Sequence, residues 1–335
     1  MQQLVQLHKT TISLLKKGKN LLAFSAGVDS SALFFILKGY NIEFDLAMVD
    51  YNTREQSKQE VIYAKELSEK YNKRLFLHSC KLGNSNFEYN ARVERYDFFK
   101  EIISKNSYDN LITAHQLNDK MEWFLMQLGR GSGLVELLGM QEIELDKKYT
   151  KIKPLLHVSK EELIDFLDAN QIKYFFDKSN ESHKYFRNQI RSKYADSFVK
   201  NFKNGLKNSF DYLQKDKELL LPNNKKRVKE LFILKRDDRE LINIRQIDRV
   251  VKEMGILMSK SQRDEVIRTK NCVISDKIAI SFTANHIYIS PYCKTSMPKK
   301  FKELCRINKL PSKIRPYIYK NSIAFSQLPN CRLLS

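Results

Sequence analysis

Cysteine is scarce in this sequence, and it is too scattered to predict a metal centre or a disulfide framework. The five cysteines are Cys80, Cys272, Cys293, Cys305 and Cys331, and no two of them form a Cys-x-x-Cys pair. Zinc and iron–sulfur sites usually contain closely spaced thiols, and disulfide-stapled secreted domains usually contain an even number of cysteines. We therefore expect reduced thiols with a structural role.

Long hydrophobic runs are also missing. No uninterrupted apolar run approaches the roughly 18 residues that a membrane-spanning helix needs. The first residues, MQQLVQLHKTTISLLKKGK, have the spacing of an amphipathic helix and not the charged and apolar blocks of a signal peptide. The sequence therefore predicts a cytoplasmic protein without a membrane-bound part.

Positive charge is abundant and unevenly distributed. The chain of 335 residues has a formal net charge of +20. Residues 1–150 contain 20 Lys and Arg against 19 Asp and Glu, whereas residues 151–335 contain 39 against 20. Lysine enrichment due to base composition alone would extend along the whole chain. Because the excess is confined to one segment, it favours a polyanionic partner such as nucleic acid.

The first half of the chain alternates short apolar runs with helical patterns. Strands are predicted at residues 21–25, 44–50, 74–80 and 110–115, and residues 173–177 are a candidate fifth strand. Because these runs are apolar on both faces and helices separate them, they predict an α/β fold with a doubly wound parallel sheet. Such sheets bind ligands at the carboxyl ends of their strands.

The segment SAGVDSS follows the first predicted strand and begins a helix. Backbone N–H groups at a helix N-terminus attract anions, Gly27 allows a tight turn, and Ser25 and Ser30 offer hydroxyl groups to phosphate oxygens. The segment lacks the GK[ST] ending of Walker-type ATPases and does not read GxGxxG, the pattern of dinucleotide-binding folds. It therefore predicts a phosphate-binding loop of another type.

A second polar segment follows the fourth predicted strand. It reads NLITAHQLNDKMEWFLMQLGRGSGLVELLGM, and its Asp119 and Glu122 are three residues apart near the start of a helix, hence on one face. Two carboxylates at a strand end suit a magnesium ion or an ammonium group. Acidic residues are also common at exposed helix N-termini, where the helix dipole favours them. By themselves these two residues leave both interpretations open.

Together, these segments resemble the tRNA(Ile)-lysidine synthetases, which belong to the N-type ATP pyrophosphatases of the PP-loop superfamily. SAGVDS resembles their SxGxDS motif, and residues 113–122 resemble TAHHxDDxxET, followed by RGSG and GLxGM. NARVERYDFF resembles AARxxRYxFF, and FDKSNESHKYFRNQIR resembles DxSNxxxxxxRNxIR. The resemblance covers residues 20–195, with the blocks in the family's order. Ala26, Gln116 and Asn118 depart from the family's glycine, histidine and aspartate.

The resemblance implies a ligase that uses ATP and Mg²⁺. Such an enzyme transfers AMP from ATP to the 2-carbonyl oxygen of the wobble cytidine in the CAU anticodon of tRNA(Ile), and pyrophosphate leaves. Free L-lysine then attacks the activated carbon through its side-chain amine and expels AMP, which gives lysidine. The modified base pairs with adenine, so codon reading changes from AUG to AUA.

The same resemblance implies a set of site residues. The implied catalytic residues are Asp29, Arg92, Asp119 and Glu122, with Asp29 and Asp119 as magnesium ligands. The implied ATP-binding residues are Ser25, Ala26, Gly27, Val28, Asp29, Ser30 and His115. The implied contacts with tRNA or lysine are Arg54, Arg130, Ser132, Asn180, Arg187, Asn188 and Arg191. Whether Glu122 binds the lysine ammonium group or removes its proton stays open.

The rest of the chain predicts RNA-binding parts. We expect a catalytic PP-loop domain over residues 1–195 and a basic helical linker over residues 196–236, in which KKRVKELF continues the helix. A small α+β tRNA-binding domain, with one helix and two strands, is expected over residues 237–335. The interleaved aromatic residues from 184 to 236 have helical spacing and are expected mostly in the core. The sequence leaves the oligomeric state open, a homodimer included.

Three other functions fit parts of the pattern. A cytidine thiolase acting on tRNA would share SxGxDS, but it would need suitably paired cysteines. Amide-forming synthetases of small molecules would not need the basic second half. A catalytically inactive RNA-binding protein would keep only the shape of the loop; the retained Asp29, Asp119 and Glu122 argue against it, and the three departures from the family keep it open. ATP-dependent release of pyrophosphate separates the enzymes from the binding protein.

Overall fold

The chain forms two compact units. The computed structural model describes residues 5–52, 55–83, 86–146, 148–176, 186–221 and 225–329. Contacts divide the chain into residues 1–214 and residues 215–335. No helix within the described ranges is long and apolar enough to cross a membrane. The functional domain boundaries at residues 195 and 236 remain a prediction.

The first unit contains a six-stranded sheet and the helices that cover it. Its strands are β1 (Asn20–Ala23), β2 (Asp45–Asp50), β3 (Leu75–Ser79), β4 (Asn110–Ile112), β5 (Ile143–Leu145) and β6 (Thr150–Ile152). Its helices are α1 (Lys9–Lys17), α2 (Val28–Gly39), α3 (Glu55–Lys70), α4 (Phe87–Asn106), α5 (Leu117–Gly129), α6 (Leu134–Leu137), α7 (Lys160–Ala169), α8 (Phe186–Ile190) and α9 (Asp196–Leu220). A π-helical turn, Arg191–Ala195, joins α8 to α9.

The strand order of this sheet is β3-β2-β1-β4-β6-β5. Strand β5 is antiparallel to β6, and the other neighbouring pairs are parallel. The doubly wound parallel sheet predicted from the sequence is therefore confirmed. After β3 the chain returns to the other side of β1, so the carboxyl ends of β1 and β4 border the topological switch point. The two polar segments of the sequence follow these two strands.

The fifth parallel strand is β6, so the prediction of a strand at residues 173–177 is wrong. Phe175 forms only an isolated parallel bridge with Gly27, and its N–H donates to the Ala26 carbonyl at 3.0 Å. This segment thus lies against the loop after β1 and does not extend the ladder. The free edge of β4 pairs with residues 150–152 instead.

Packing holds the two elements on either side of the loop after β1. Leu21 and Leu22 of β1, and Leu33, Phe34 and Ile36 of α2, are fully buried. Complete burial of such a side chain contributes about 1.5–3 kcal/mol. The strand and the helix are therefore fixed by the core, and they position the loop backbone between them.

The second unit is a five-stranded antiparallel sheet between two helical layers. Its strands are β7 (Lys225–Val228), β8 (Leu231–Lys235), β9 (Asn271–Ile274), β10 (Ile278–Phe282) and β11 (His286–Pro291), in the order β7-β8-β11-β10-β9. Its helices are α10 (Glu240–Glu253), α11 (Lys260–Thr269), α12 (Lys299–Ile307) and α13 (Arg315–Lys320). Phe232 and Leu234 face the layer of α10 and α11, whereas Leu231 and Ile233 face the layer of α12 and α13.

The helix predicted over KKRVKELF is wrong, because residues 225–235 form the β7–β8 hairpin. Residues 231–234 are buried on both faces of the sheet, and β8 pairs with β11 as well as with β7. Burial between two helical layers outweighs the helical preference of the segment. The helix predicted near the start of residues 237–335 is confirmed as α10, but this range has three strands, β9, β10 and β11, where the sequence predicts two.

Candidate active site

The loop between β1 and α2 has the local geometry of an anion site. Gly27 is the N-cap of α2 and makes no side-chain cap, so the first N–H groups of the helix, beginning at Val28, have no intrahelical partner. The Ser25 N–H donates to the Ser30 Oγ at 3.2 Å, and the Ser30 hydroxyl donates to the Gly27 carbonyl at 3.3 Å. Ser25 is exposed. The loop therefore offers N–H groups and one hydroxyl to a phosphate group.

Ala26 makes the tight turn of this loop. Its φ is +60°, in the left-handed region, whereas the φ of Gly27 is −75°. The expectation that Gly27 makes the turn is therefore wrong, and the strained residue is the alanine that replaces the family's glycine. A left-handed conformation costs an L-residue roughly 1–2 kcal/mol. Ala26 is fully buried and its carbonyl accepts the Phe175 N–H, and these contacts hold the turn.

Asp29 lies in the first turn of α2. Its Oδ1 is buried and has no hydrogen-bond partner among the described residues. Burial and, secondly, the negative charge of Asp119 raise the pKa of Asp29 to about 7, against the opposing charges of Lys160 and Arg191. An unpaired buried carboxylate oxygen beside a second carboxylate is an environment that a divalent cation would stabilise.

Gln116 and Asp119 form a capping box at the start of α5. The Gln116 Oε1 accepts the Asn118 N–H at 2.6 Å, and the Asp119 Oδ2 accepts the Gln116 N–H at 3.0 Å. Gln116 departs from the family's histidine, but it satisfies N–H groups that the helix leaves free. It thus fixes the start of the helix that carries Asp119 and Glu122.

Asn118 connects three helices beside the site. Its Nδ2 donates to the Asp196 Oδ1 at 2.7 Å, and its Oδ1 accepts the Lys160 N–H at 3.2 Å. The family's aspartate at this position would turn a carboxylate toward Asp196, where like charges repel. Asparagine is therefore the residue that suits the neighbours present in this chain.

Asp119 and Glu122 form an ionic cluster with Arg187 and Arg191. Arg191 donates from Nε to the Glu122 Oε2 at 2.7 Å and from Nη2 to the Asp119 Oδ1. Arg187 donates from Nε to the Glu122 Oε1, and its Nη2 lies 3.7 Å from the Asp119 Oδ1. The Glu122 side chain is 3% exposed. Burial raises the pKa of Glu122, and Arg191 and Arg187 oppose that rise.

This arginine–carboxylate cluster brings together four residues that the sequence assigns to the site. In the sequence, Arg187 is 65 positions from Glu122, and Arg191 is 72 positions from Asp119. Arg191 is the less exposed of the two arginines and binds both carboxylates, so it fixes them relative to each other. The cluster also allows an exchange of partners, because a guanidinium can take a phosphate and a carboxylate can take an ammonium group.

His115 and Arg92 are the two remaining residues assigned to the nucleotide. The His115 Nδ1 is 2.9 Å from the Thr113 Oγ1, and burial lowers the pKa of His115 to about 4, so the ring is neutral at pH 7. Arg92 is exposed on α4, with its guanidinium 4.8 Å from the centre of the Tyr96 ring. The charge of Asp119 raises the pKa of His115 and the charge of Arg92 lowers it, both against the larger effect of burial.

Arg130 and Ser132 lie at the other end of α5. A helix rises about 1.5 Å per residue, which separates Asp119 from Arg130 by about 16 Å along the axis. Gly131 has a φ of +71° and turns the chain, and the Ser132 hydroxyl donates to the Gln127 Oε1 at 3.1 Å. The structure therefore does not bring Arg130 and Ser132 to the carboxylates, and their contact with RNA stays a prediction.

Of the three remaining assigned residues, the structure describes one. Arg54 and Asn180 fall outside the described residues. Asn188 is buried on α8, between Arg187 and the π-helical turn. Its position suits support of the neighbouring arginines, and its contact with a substrate stays a prediction.

The sequence analysis missed three charged residues around the site. Lys160 opposes, and Asp196 adds to, the raised pKa of Asp29. Lys153, which is buried, contributes to the lowered pKa of His115. Lys160 is the first residue of α7, directly after its N-cap Ser159, and no motif in the sequence marks any of the three as a site residue.

The aromatic residues from 186 to 212 are mostly exposed, so the expectation that they lie in the core is wrong. Among those that the structure describes, Phe210 is the buried one. The exposed ones are Phe186, Tyr194, Phe198, Phe202 and Tyr212. The other core positions of α9 are taken by aliphatic residues such as Val199, with Ala195 just before the helix.

The donor set fits a magnesium ion. Asp29 offers the unpaired Oδ1, and Asp119 is near enough to raise the pKa of Asp29. Mg²⁺ prefers one or two carboxylates beside substrate phosphates and keeps several waters. Because the Asp119 Oδ1 also accepts from Arg191, Asp29 would be the principal ligand of such an ion.

Comparison with known proteins identifies the family. A PP-loop domain matches residues 1–197. Among solved structures, a U34-tRNA thiolase from Methanococcus maripaludis aligns with a TM-score of 0.47 and 18% identity over 62% of this chain and 78% of that chain. A tRNA(Ile)-lysidine synthase of Wolinella succinogenes is 42% identical and covers 92% of this chain and 95% of its own length. One of Campylobacter jejuni (strain RM1221) is 46% identical over 327 residues, 97% of this chain and 99% of the relative. The chain therefore belongs to the tRNA(Ile)-lysidine synthase family.

Proposed function

We propose that this chain ligates L-lysine to the 2-position of the wobble cytidine in tRNA(Ile) with a CAU anticodon, through an adenylated cytidine. As a member of its family it is an ATP-using ligase that forms a carbon–nitrogen bond in tRNA. One observation carries the proposal for the site: the uncapped N-terminus of α2 lies at the same sheet edge as the carboxylates of Asp29, Asp119 and Glu122.

In the first step, the cytidine O2 attacks the α-phosphorus of ATP, and the bond to the β-phosphate oxygen breaks, so pyrophosphate leaves. The N–H groups of α2 and the Ser25 hydroxyl bind the pyrophosphate oxygens. Arg92 contacts the α-phosphate, where a positive charge stabilises the transition state, and neutral His115 contacts the nucleotide. Asp29, with Asp119, would hold a Mg²⁺ ion, which would neutralise phosphate charge there.

In the second step, the lysine ε-amine attacks C2 of the adenylated cytidine, the new carbon–nitrogen bond forms, and the bond to the AMP oxygen breaks. The amine must lose a proton before or during attack. Glu122 is the carboxylate proposed to bind the ammonium group or to accept this proton. The two roles stay alternatives.

Either role requires Glu122 to exchange a guanidinium for the amine. Both oxygens of Glu122 accept from arginines, one from Arg187 and one from Arg191. Arg187 is the partner that can leave, since its side chain is 45% exposed, against 21% for Arg191. We therefore propose that substrate binding displaces Arg187 onto a phosphate group of the RNA or of the nucleotide.

The charge of the second unit supports tRNA as the partner. Residues 215–335 contain 27 Lys and Arg against 12 Asp and Glu. Contacts between such cations and phosphates supply affinity and orientation, and they read little sequence. Because tRNA and ATP are cytoplasmic substrates, we assign the reaction to the cytoplasm.

The experiment is incorporation of labelled L-lysine into tRNA(Ile) with a CAU anticodon, in the presence of ATP and Mg²⁺. Asp29→Asn removes the charge of the principal magnesium ligand and keeps the side-chain shape. Asp165→Asn makes the same chemical change at an exposed position on α7 and is the matched control. tRNA(Met), which has the same anticodon, tests substrate choice.

The proposal expects ATP-dependent incorporation that Asp29→Asn abolishes and Asp165→Asn leaves intact. Pyrophosphate release without transfer of lysine would overturn the assignment of the amine donor. Absence of any ATP turnover would instead favour an RNA-binding protein without catalysis.

A further inference from the structure

Three aromatic side chains form an exposed stripe on the segment that follows Arg191. Tyr194, Phe198 and Phe202 are spaced four residues apart, and they are 57%, 44% and 57% exposed. Phe198 and Phe202 are four residues apart on α9 and lie on one face of it, and Tyr194 lies in the π-helical turn just before that helix. The rings of Phe198 and Phe202 have centroids 5.0 Å apart and are tilted by 51°. These three residues are called the aromatic stripe below.

The aromatic stripe does not serve the core of its own unit. Ala195, Val199 and Phe210 hold the segment in an apolar cluster together with Leu117 and Met121 of α5. The stripe lies beside that buried face and projects elsewhere. Exposed aromatic surface is unfavourable in water, and contiguous exposed apolar patches mark interaction sites. The stripe therefore calls for a partner.

The aromatic stripe begins directly beside the arginine–carboxylate cluster. Tyr194 is three residues after Arg191, which binds Asp119 and Glu122, and both belong to the π-helical turn. π-Helical turns inside helices occur often at functional sites. At the other end, Phe202 has non-helical angles, φ −130° and ψ 21°, and marks a kink in α9. The two irregularities delimit the stripe.

The charge around the aromatic stripe is positive, as on a protein surface that binds nucleic acid. Residues 186–207 contain six Lys and Arg and a single acidic residue, Asp196. The Asp196 carboxylate accepts from Asn118 and lies on the site side. Lys193, Lys200 and Lys203 have no ion-pair partner within 4.0 Å in the part of the chain that the structure describes. Their charges are available to phosphates.

We propose that the aromatic stripe stacks unpaired nucleobases of the anticodon loop next to the active site. The proposal rests on the proposed function, since that function requires a wobble cytidine to leave its stack and enter the site. Interleaved aromatic rings and lysines are the combination that binds single-stranded RNA, because bases stack on the rings while cations track the backbone. A protein partner of similar chemistry would not need the unpaired lysines.

Binding of an anticodon stem–loop RNA with the CAU loop tests the proposal. A double variant, Phe198→Ala with Phe202→Ala, removes two rings, and a second double variant with leucine at both positions keeps apolar bulk but no aromatic face. Tyr212→Ala removes an exposed aromatic residue of the same helix outside the stripe. Fluorescence of 2-aminopurine at the loop positions reports stacking directly, without ATP or lysine.

The expected result is a Kd about five- to hundredfold weaker for both double variants, with loss of 2-aminopurine quenching and an unchanged salt dependence. Tyr212→Ala stays within about twofold of the wild type. Lys200→Ala, in contrast, reduces the slope of log Kd against log salt by about 0.7.

Two outcomes would overturn the proposal. Leucine variants that bind and quench like the wild type would show that aromatic faces are not used. Double variants that bind RNA like the wild type but have a different sedimentation coefficient would show that the stripe is a protein–protein interface. Because these measurements need no catalysis, a wild type that stacks the loop but transfers no lysine would refute the proposed function and leave the stripe in place.

Discussion

Asn118 is the position where one substitution tests how the site is fitted to its neighbours. Its Nδ2 donates to the Asp196 Oδ1 at 2.7 Å, and its Oδ1 accepts the Lys160 N–H at 3.2 Å. Asn118→Asp keeps the acceptor for Lys160. It replaces the donor facing Asp196 with a carboxylate oxygen, so two negative charges meet at a buried position.

The expected loss of unfolding free energy is about 2–4 kcal/mol at pH 7.5. A hydrogen bond to a charged group contributes about 1.5–3 kcal/mol, and unit charges about 3 Å apart repel by about 5 kcal/mol at an effective dielectric constant of about 20, part of which side-chain rotation relieves. Repulsion raises the folded-state pKa of the pair above the unfolded value. The penalty is therefore full at high pH and shrinks as the pH falls, since a proton restores the missing donor.

The assay is urea unfolding followed by the fluorescence of Trp123, the single tryptophan, which lies on α5. Asn118→Asp, Asp196→Asn and the swapped double variant complete a cycle. In the double variant donor and acceptor change places, so it should recover at least half of the lost stability. A single Asn118→Asp variant as stable as the wild type at pH 7.5, or a double variant no better than the single, would refute this reasoning.

Three further predictions follow from the site. Asp29→Asn should leave the melting temperature unchanged or higher, because it removes a carboxylate whose pKa burial raises. It should also lower ATP-dependent pyrophosphate release about a hundredfold. A stable variant with full turnover would contradict the catalytic role of Asp29. Burial lowers the pKa of His115 from 6.5 to about 4, so the unfolded chain takes up this proton first and the free energy of unfolding falls as the pH is lowered from 6.5 to 4. His115→Asn should flatten this pH dependence, and an unchanged slope of the free energy of unfolding against pH, measured by urea titration, would contradict the assignment. Ala26→Gly should keep turnover and change the free energy of unfolding by less than about 1 kcal/mol. Relief of the left-handed strain stabilises the variant, whereas the lost methyl group and the greater entropy of the unfolded chain destabilise it. A loss of several kcal/mol in urea unfolding would show that the turn is not strained.

Local patterns made the sheet of the first unit predictable, with the exception of its short strands. Strands β1, β2 and β4 contain apolar residues that the parallel sheet buries, and the edge strand β3 has an apolar run that is only half-buried. Strand β6 has only the residues Thr150–Ile152, with a lysine in the middle, so no periodicity could be recognised. The β7–β8 hairpin was missed because LFIL reads equally as a buried helix or a buried strand.

The sequence predicts which carboxylates follow strands β1 and β4, but not which side chains they pair with. The motifs pointed to Asp29, Asp119 and Glu122 because their spacing after strands β1 and β4 is visible in the sequence. That Arg187 and Arg191 bind Asp119 and Glu122 depends on contacts between residues 65 to 72 positions apart, which only the fold brings together. Helical spacing likewise shows that aromatic residues share a face, but it does not reveal whether anything covers that face.

The central claim is that the cytidine, and not the lysine, is activated by ATP. The most direct measurement is a pulse of ATP labelled at the α-phosphate with tRNA(Ile) in the absence of lysine, followed by a chase with unlabelled ATP and L-lysine. The account predicts that label enters the RNA during the pulse and leaves as AMP in the chase while lysine enters. Label that appears on lysine, or AMP released with no label ever passing through the RNA, would contradict it.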